Sequence, residues 1–345
     1  MRLALNLGYL GRGRRPADML ALAREAERLG FSSVWVGEAQ SSDAPSLLAW
    51  LAAQTSSIEL GAGVMQIPAR SAAMTAMTAA TLDTLSGGRF RLGLGLSGPQ
   101  LSEGWHGARF DDPLTRLREY VDVVRLVLRR EAVSYAGQQV RLPLREGEGR
   151  PLRIGMRPLR ERIPIYIAAL GNRSLELAGE IGDGWLALFL DPAASAGQFE
   201  RIRAGRRRAD GERPFDVLAT VPLVVGDDAG ACAEPVKSFA ALYIGGMGSR
   251  QVNFYHRHVQ RMGFGDAAAE VQDQFLGSKP RSAASAVPFD FVDRTSLIGP
   301  PDRIARRVGD YAAAGVTTLS VMPMAGTARE NIEALRAVHR AASTA

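Results

Sequence analysis

Short apolar runs alternate with longer runs of helical spacing along most of the chain. Near the amino terminus LALNLGY predicts a strand. Pro16 then opens a helix with Met19, Leu22, Ala26 and Leu29 on one face, and Gly30 ends it. SSVWVGE predicts the second strand and the alanine-rich run 46–54 the second helix. Residues 58–64 form a third strand and 72–85 a third helix, after which Gly87 and Gly88 turn the chain into a fourth strand at 90–96. Strand-then-helix alternation this tight requires parallel strands joined by crossover helices.

After Pro113 a helix carrying Leu117, Val121, Val124 and Leu128 runs to about Arg130, and the pattern then pauses. Residues 133–162, rich in glycine, proline and arginine, predict an excursion outside the wall, because the apolar strand IPIYIAAL follows at once. A helix over 173–181, the strand GDGWLALFL and a seventh strand DVLATVPLVV continue the alternation. Residues 245–298 interrupt it again and predict a second, mainly helical insertion. TTLSVMPM is the eighth strand, and a helix over 328–341 closes the ring. The prediction is an α/β chain of the TIM (β/α)8 barrel type with helical and loop insertions, a single domain over 1–345.

Composition narrows the chemistry. At 46% hydrophobic over 345 residues the chain can bury a large core. No apolar run reaches the roughly 18 residues a membrane span needs, and MRLALNLGYLGRGRR lacks the layout of a signal peptide. A cytoplasmic protein with no membrane partner is therefore expected. The lone Cys232 excludes an internal disulfide framework and a multi-thiolate metal site, so any redox chemistry must come from a bound cofactor. The net charge of +6 is carried almost wholly by arginine, with Lys237 and Lys279 the sole lysines. Its densest cluster, Arg201, Arg203, Arg206, Arg207 and Arg208, falls on a helix with no aromatic residues interleaved. It reads as a solvated face, and no nucleic-acid partner is expected.

In a barrel of parallel strands the chemistry gathers where the strands end. Gly61 and Gly63 interrupt the strand IELGAGVMQIP, either because a ligand approaches the backbone there or because the barrel interior narrows. Gly93, Gly95 and Gly98 satisfy G-x-G-x-x-G. The first two lie inside an apolar strand, however, and Pro99 and Gln100 lead into a long loop, which is not the turn-and-helix context of a dinucleotide fingerprint. AALGNRSLELAGEIGDGW couples a strand end to a helix start. With Asn172 as cap and Arg173 beside it, that start can hold an anion or can be an ordinary capped turn. His106, His256, His258 and His339 form no ligand constellation, so no metal is expected, and G-x-S-x-G is absent.

Three segments, SVWVGEAQSSDAPSLLAWLAAQTSSIELGAGVMQIPARS, LSGGRFRLGLGLSGPQLSEGWHG and IPIYIAALGNRSLELAGEIGDGW, resemble the bacterial luciferase-like superfamily, and within it the coenzyme F420-dependent oxidoreductases of actinobacteria. ALYIGGMGSRQVNFYHRHVQRMGF and SLIGPPDRIARRV extend the likeness to nearly the whole chain. The resemblance implies a deazaflavin at the carboxyl-terminal strand face, seated on a bulge with a non-prolyl cis peptide between Gly63 and Val64. Carried over to this sequence, it places Glu38, Gln66, Ser97 and Gly98 around the ring and gives the phosphate to Gly171, Asn172, Arg173 and Ser174. Trp105 and Tyr9 are then expected in the substrate pocket.

Ala39 stands where the family often has a histidine, which leaves Glu38 or His106 to handle a proton. The implied activity is hydride transfer between F420 and a small organic substrate, by reduction of a C=C, C=N or carbonyl bond or by oxidation of an alcohol, in a homodimer. A monooxygenase using FMN on the same barrel, and a non-catalytic flavin- or deazaflavin-binding protein, are the alternatives.

Overall fold

Eight parallel strands close into a ring in this computed structural model, which describes every residue except Arg12, Glu161, Asp210, Glu212 and Ala345. They are β1 (Arg2–Asn6), β2 (Ser33–Val36), β3 (Glu59–Ala62, resuming at Met65–Gln66), β4 (Phe90–Gly95), β5 (Ile165–Ala168), β6 (Gly184–Leu188), β7 (Asp216–Val225) and β8 (Thr318–Pro323). Neighbours in sequence are neighbours in the ring. It closes where β8 lies between β7 and β1, with Leu319 opposite both Ala219 and Leu3. The crossover helices pack outside and bury the main apolar core against the wall.

A small cluster of Ala4, Trp35, Tyr166, Leu186 and Leu218 fills the middle of the barrel, with the Trp35 and Tyr166 rings edge to face at 5.0 Å. These large rings need room. A Cβ on Gly61 would overlap the Trp35 ring and one on Gly184 would overlap the Tyr166 ring. For Gly61 the narrowing interior is therefore the reason for glycine, rather than a ligand. Below the rings a polar network plugs the amino-terminal end. Arg91 pairs with Glu59 and donates to Tyr166 Oη at 2.6 Å, and Tyr166 donates to Asp216 at 2.8 Å. Burial pushes the Tyr166 phenol well above its usual range. The barrel is thus closed from below, and anything that enters comes from the carboxyl-terminal face.

The described residues within 133–162 form a small hairpin, Tyr135–Ala136 with Arg141–Leu142, and irregular chain. The Glu119 carboxylate on helix Pro113–Leu128 clasps the hairpin turn by accepting from the amides of Gln138, Gln139 and Val140 at 2.7–2.8 Å. Within 245–298 lie four helices, Phe254–Arg261, Gly265–Leu276, Pro280–Ser285 and Phe289–Thr295. They share a second apolar cluster, built around Phe189, Ile244, Val271 and Phe291, with helix Ala229–Ala241. That helix ends in a single π turn, Leu242–Gly246, a distortion that recurs at functional sites. The short strand Leu297–Gly299 then extends the ring beside the end of β7.

Several local expectations differ from the structure. The second helix spans Ala44–Ala52, because Asp43 caps it by accepting from Ser46 N at 2.8 Å. A short helix, Pro99–Gly104, replaces the expected long loop after β4. Asn172 is not a cap: Gly171 holds that position and Asn172 is the first helical residue. The arginine-rich helix Ala196–Arg206 is tied down by carboxylates, with Arg201 and Arg208 on Glu176 and Arg203 and Arg207 on Glu200. Cys232 is buried. Among the described residues no helix is long and apolar enough to cross a membrane.

Candidate functional site

A cavity of about 920 Å3 opens at the carboxyl-terminal ends of the strands. Its floor is made by the interruption of β3. Gly63 N donates to Val36 O at 2.7 Å, the Gly63–Val64 peptide is cis, and the strand resumes at Met65 and Gln66, paired with Leu94 and Gly95 of β4. Gly63 and Val64 line the cavity, as do Gly95 and Gly98. At Gly98 a Cβ would meet open space, so backbone rather than side chain borders the cavity there.

A carboxylate braces this floor from behind. Glu38, with its side chain 4% exposed, accepts from both terminal nitrogens of Arg70 at 2.8 and 3.0 Å and from the amides of Gln66 and Ala44 at 3.1 Å. Arg70 is steadied in turn through Tyr120, whose hydroxyl donates to the Arg70 carbonyl at 3.0 Å. Burial pushes the Tyr120 phenol up to about 12. Ser97, held at φ +62, donates to Gln66 Oε1 at 3.1 Å, which ties the end of β4 to the resumed β3. Both carboxylate oxygens of Glu38 are engaged, and its neighbours are donors in a rigid backbone frame.

One end of the cavity is cationic. Ala168 to Ser174 line it, and the first-turn amides of helix Asn172–Ile181 are the donors that a helix leaves unpaired at its start. Ser174 Oγ bonds both the amide and the carbonyl of Gly171, at 3.1 and 2.8 Å, and so does the capping work that a glycine cannot. Trp185 Nε1 fixes the approach by donating to Ala169 O at 3.0 Å. Arg173 lines this end together with Arg261, which reaches in from the helical insertion and donates to Leu170 O at 3.1 Å.

The roof is aromatic. Tyr9, in the loop after β1, shares a hydroxyl hydrogen bond of 3.0 Å with Tyr243 of the π turn. Tyr255 meets Tyr243 edge to face at 4.8 Å, and burial pushes its phenol well above the usual range. Tyr9 also packs on Gly37, where a Cβ would come within 2.7 Å of its ring.

The residues expected at the site fall into two groups. Tyr9, Glu38, Gly63, Val64, Gln66, Ser97, Gly98, Gly171, Asn172, Arg173 and Ser174 all border this one cavity. Trp105 and His106 do not. Trp105 follows the short helix Pro99–Gly104 and is 66% exposed, and the buried Nε2 of His106 has no hydrogen-bond partner among the described residues. Arg14, Arg70, Tyr243, Tyr255 and Arg261 were not anticipated. Among the described residues no cluster of three histidine, cysteine or acidic side chains could hold a metal ion.

The profile of the luciferase-like monooxygenase family matches residues 3–318. The chain belongs to that family. A Mycobacterium tuberculosis protein provisionally named a coenzyme F420-dependent oxidoreductase is 41% identical to this luciferase-like chain, over 96% of each. The 5,10-methylenetetrahydromethanopterin reductase of Archaeoglobus fulgidus is 30% identical over 85% of each. Among solved structures, the coenzyme F420-dependent tetrahydromethanopterin reductase of Methanopyrus kandleri superposes with a TM-score of 0.82. It covers 100% of this luciferase-like chain and 99% of its own, at 23% identity, a likeness of fold.

Proposed function

We propose that this luciferase-like chain is an oxidoreductase that binds coenzyme F420 in the cavity and exchanges a hydride with a small organic substrate. The reaction is reduction of a C=C, C=N or carbonyl bond, or oxidation of an alcohol. The observation that carries this reading is one cavity with a backbone floor at Gly63 and Val64 and a cationic end at a helix start. A flat ring and an anionic tail are the two things such a cavity fits. The name of the M. tuberculosis relative agrees with that choice of cofactor.

When bound, the deazaflavin supplies a carbon that gives or takes a hydride. The chain does the rest. Gly63, Val64 and Gly98 offer main chain to a ring face, and Ser97 and Gln66 offer polar atoms beside it. Gly171, Asn172, Arg173 and Ser174, with Arg261, hold the phosphate. Glu38 positions the floor through Gln66 N and Arg70 instead of carrying the proton, because its oxygens are already taken. The hydroxyl pair of Tyr9 and Tyr243 holds the exchangeable proton on the cavity wall. A second copy of the chain is the partner we assign to the exposed apolar face made by Met74, Met77 and Leu85, with sedimentation velocity as its test.

Titration of the purified protein with F420 and with FMN, each alone, tests the cofactor. F420 is expected to bind at least tenfold tighter, and its absorbance to change when alcohols, enones or imines are added. Tighter binding of FMN with oxygen consumption would convert the reading to a monooxygenase. F420 that binds and stays in one redox state with every substrate tried would make the protein a carrier.

A further inference from the structure

The cavity has cationic groups at two opposite sides. One is the helix start with Arg173 and Arg261 at the end of β5, which the proposed function gives to the cofactor's phosphate. The other is Arg14, in the loop between β1 and the helix Pro16–Arg28. Its Nη2 donates to the carbonyl of Pro323 at the end of β8 at 2.9 Å. Its stem passes Gly8, where a Cβ would lie 3.9 Å from Nε. In the closed ring β1 and β5 face each other, so an anion held at Gly171 does not also reach Arg14.

Among the described residues Arg14 has no carboxylate counter-ion. Three other partly buried arginines beside the barrel are paired with carboxylates, Arg70 with Glu38, Arg91 with Glu59 and Arg160 with Asp83, and Arg89, which is not, spends its donors on four carbonyls and the Thr55 hydroxyl. Among the described residues no carboxylate lies within 4.0 Å of the Arg14 guanidinium; it is hydrogen-bonded only to a neutral carbonyl, and Met322 and Met324 flank that carbonyl on the cavity lining. Among the described residues that line the cavity Glu38 is the one carboxylate, and it is committed to Arg70. Burial lowers the Arg14 pKa, so the charge sits where water serves it poorly. The hydrogen bond to Pro323 engages one donor and leaves the rest of a planar fork, which suits a carboxylate better than any neutral group.

We infer that Arg14 anchors a carboxylate on the organic substrate, whose apolar body lies along Tyr9, Met322 and Met324. The substrate class is an organic acid, turned so that its reactive carbon points away from Arg14 toward the floor at Gly63 and Val64. The word substrate rests on the oxidoreductase reading, whereas the anion site rests on the geometry alone.

The test is calorimetric binding of 3-phenylpropionate and its uncharged analogue 3-phenylpropionamide to the full chain, with and without F420. The carboxylate is expected to bind at least tenfold tighter than the amide. Arg14→Gln should erase that preference and Arg14→Lys should keep part of it, with F420 affinity and melting temperature unchanged in both. Equal binding of the two probes by the unaltered protein, or no binding of either at millimolar concentration, overturns the proposal. Loss of F420 affinity in both variants overturns it too, by assigning Arg14 to the cofactor. If F420 fails to bind the unaltered protein while the carboxylate preference stands, the oxidoreductase reading falls and the anion site survives.

Discussion

Replacing Glu38 with alanine separates a brace from a proton carrier. The substitution removes the acceptor of both Arg70 bonds and of the amides of Gln66 and Ala44. Breaking a buried ion pair by deleting one partner costs about 3–5 kcal/mol. Arg70 is 17% exposed and can turn partly to water, so the low end, about 3 kcal/mol, applies to the pair. Two amides left without an acceptor add about 1 kcal/mol between them once water enters the space alanine leaves.

The total, about 4 kcal/mol, spread over an unfolding entropy of roughly 2.1 cal/mol/K for each of 345 residues, lowers the melting temperature by about 6 °C. Differential scanning calorimetry of Glu38→Ala, Arg70→Met and the double variant measures it, and the double variant should recover at least half the loss because no stranded charge remains. Glu38→Gln keeps one acceptor, so it should lose about 2 kcal/mol and weaken cofactor binding while retaining turnover. A melting temperature within 1 °C of the unaltered protein in Glu38→Ala, or abolished turnover with intact stability in Glu38→Gln, would refute the brace.

Three further outcomes follow from other parts of the structure. In Gly93→Ala the new Cβ would overlap the Ala62 carbonyl, main chain that cannot rotate away, so a loss of about 3 kcal/mol in urea unfolding is expected, and a neutral effect would show the wall to be softer than described. Tyr243→Phe should lower turnover at least tenfold with F420 affinity within twofold, and unchanged steady-state rates would remove the Tyr9 and Tyr243 pair from proton exchange. Arg28, and with it Arg336, holds the Glu25 carboxyl down to about 2 from 4.5. A folded-state pKa below the unfolded one adds stability above pH 4.5 that drains away as pH falls toward 2. Glu25→Gln should flatten that part of the acid profile in urea unfolding followed between pH 6 and 3.

The wall of the barrel was legible because alternation has a period that local sequence carries. The eight strands fall where the apolar runs lie, and the family resemblance put the cis peptide at the bond where it is found. What was not legible depends on partners distant in sequence or on elements too short to show a period. Trp35 makes Gly61 a packing glycine, and nothing within the segment around Gly61 announces that ring. Helix Pro99–Gly104 is under two turns long, too short for amphipathic spacing, and its presence carries Trp105 outward. The cap at Gly171 has no side-chain signature, and Ser174 does its work from the first turn. Arg14 was one arginine among many, and its lack of a carboxylate partner among the described residues appears only when the chain is folded.

The helical segment that supplies Tyr243, Tyr255 and Arg261 packs around an apolar cluster of its own, apart from the main core beneath it. Ceiling and foundation can therefore change at different rates. Replacements in the upper module can reshape which molecules are admitted while the electron-exchanging platform below keeps its form, which makes that module the natural target for anyone wishing to retune selectivity.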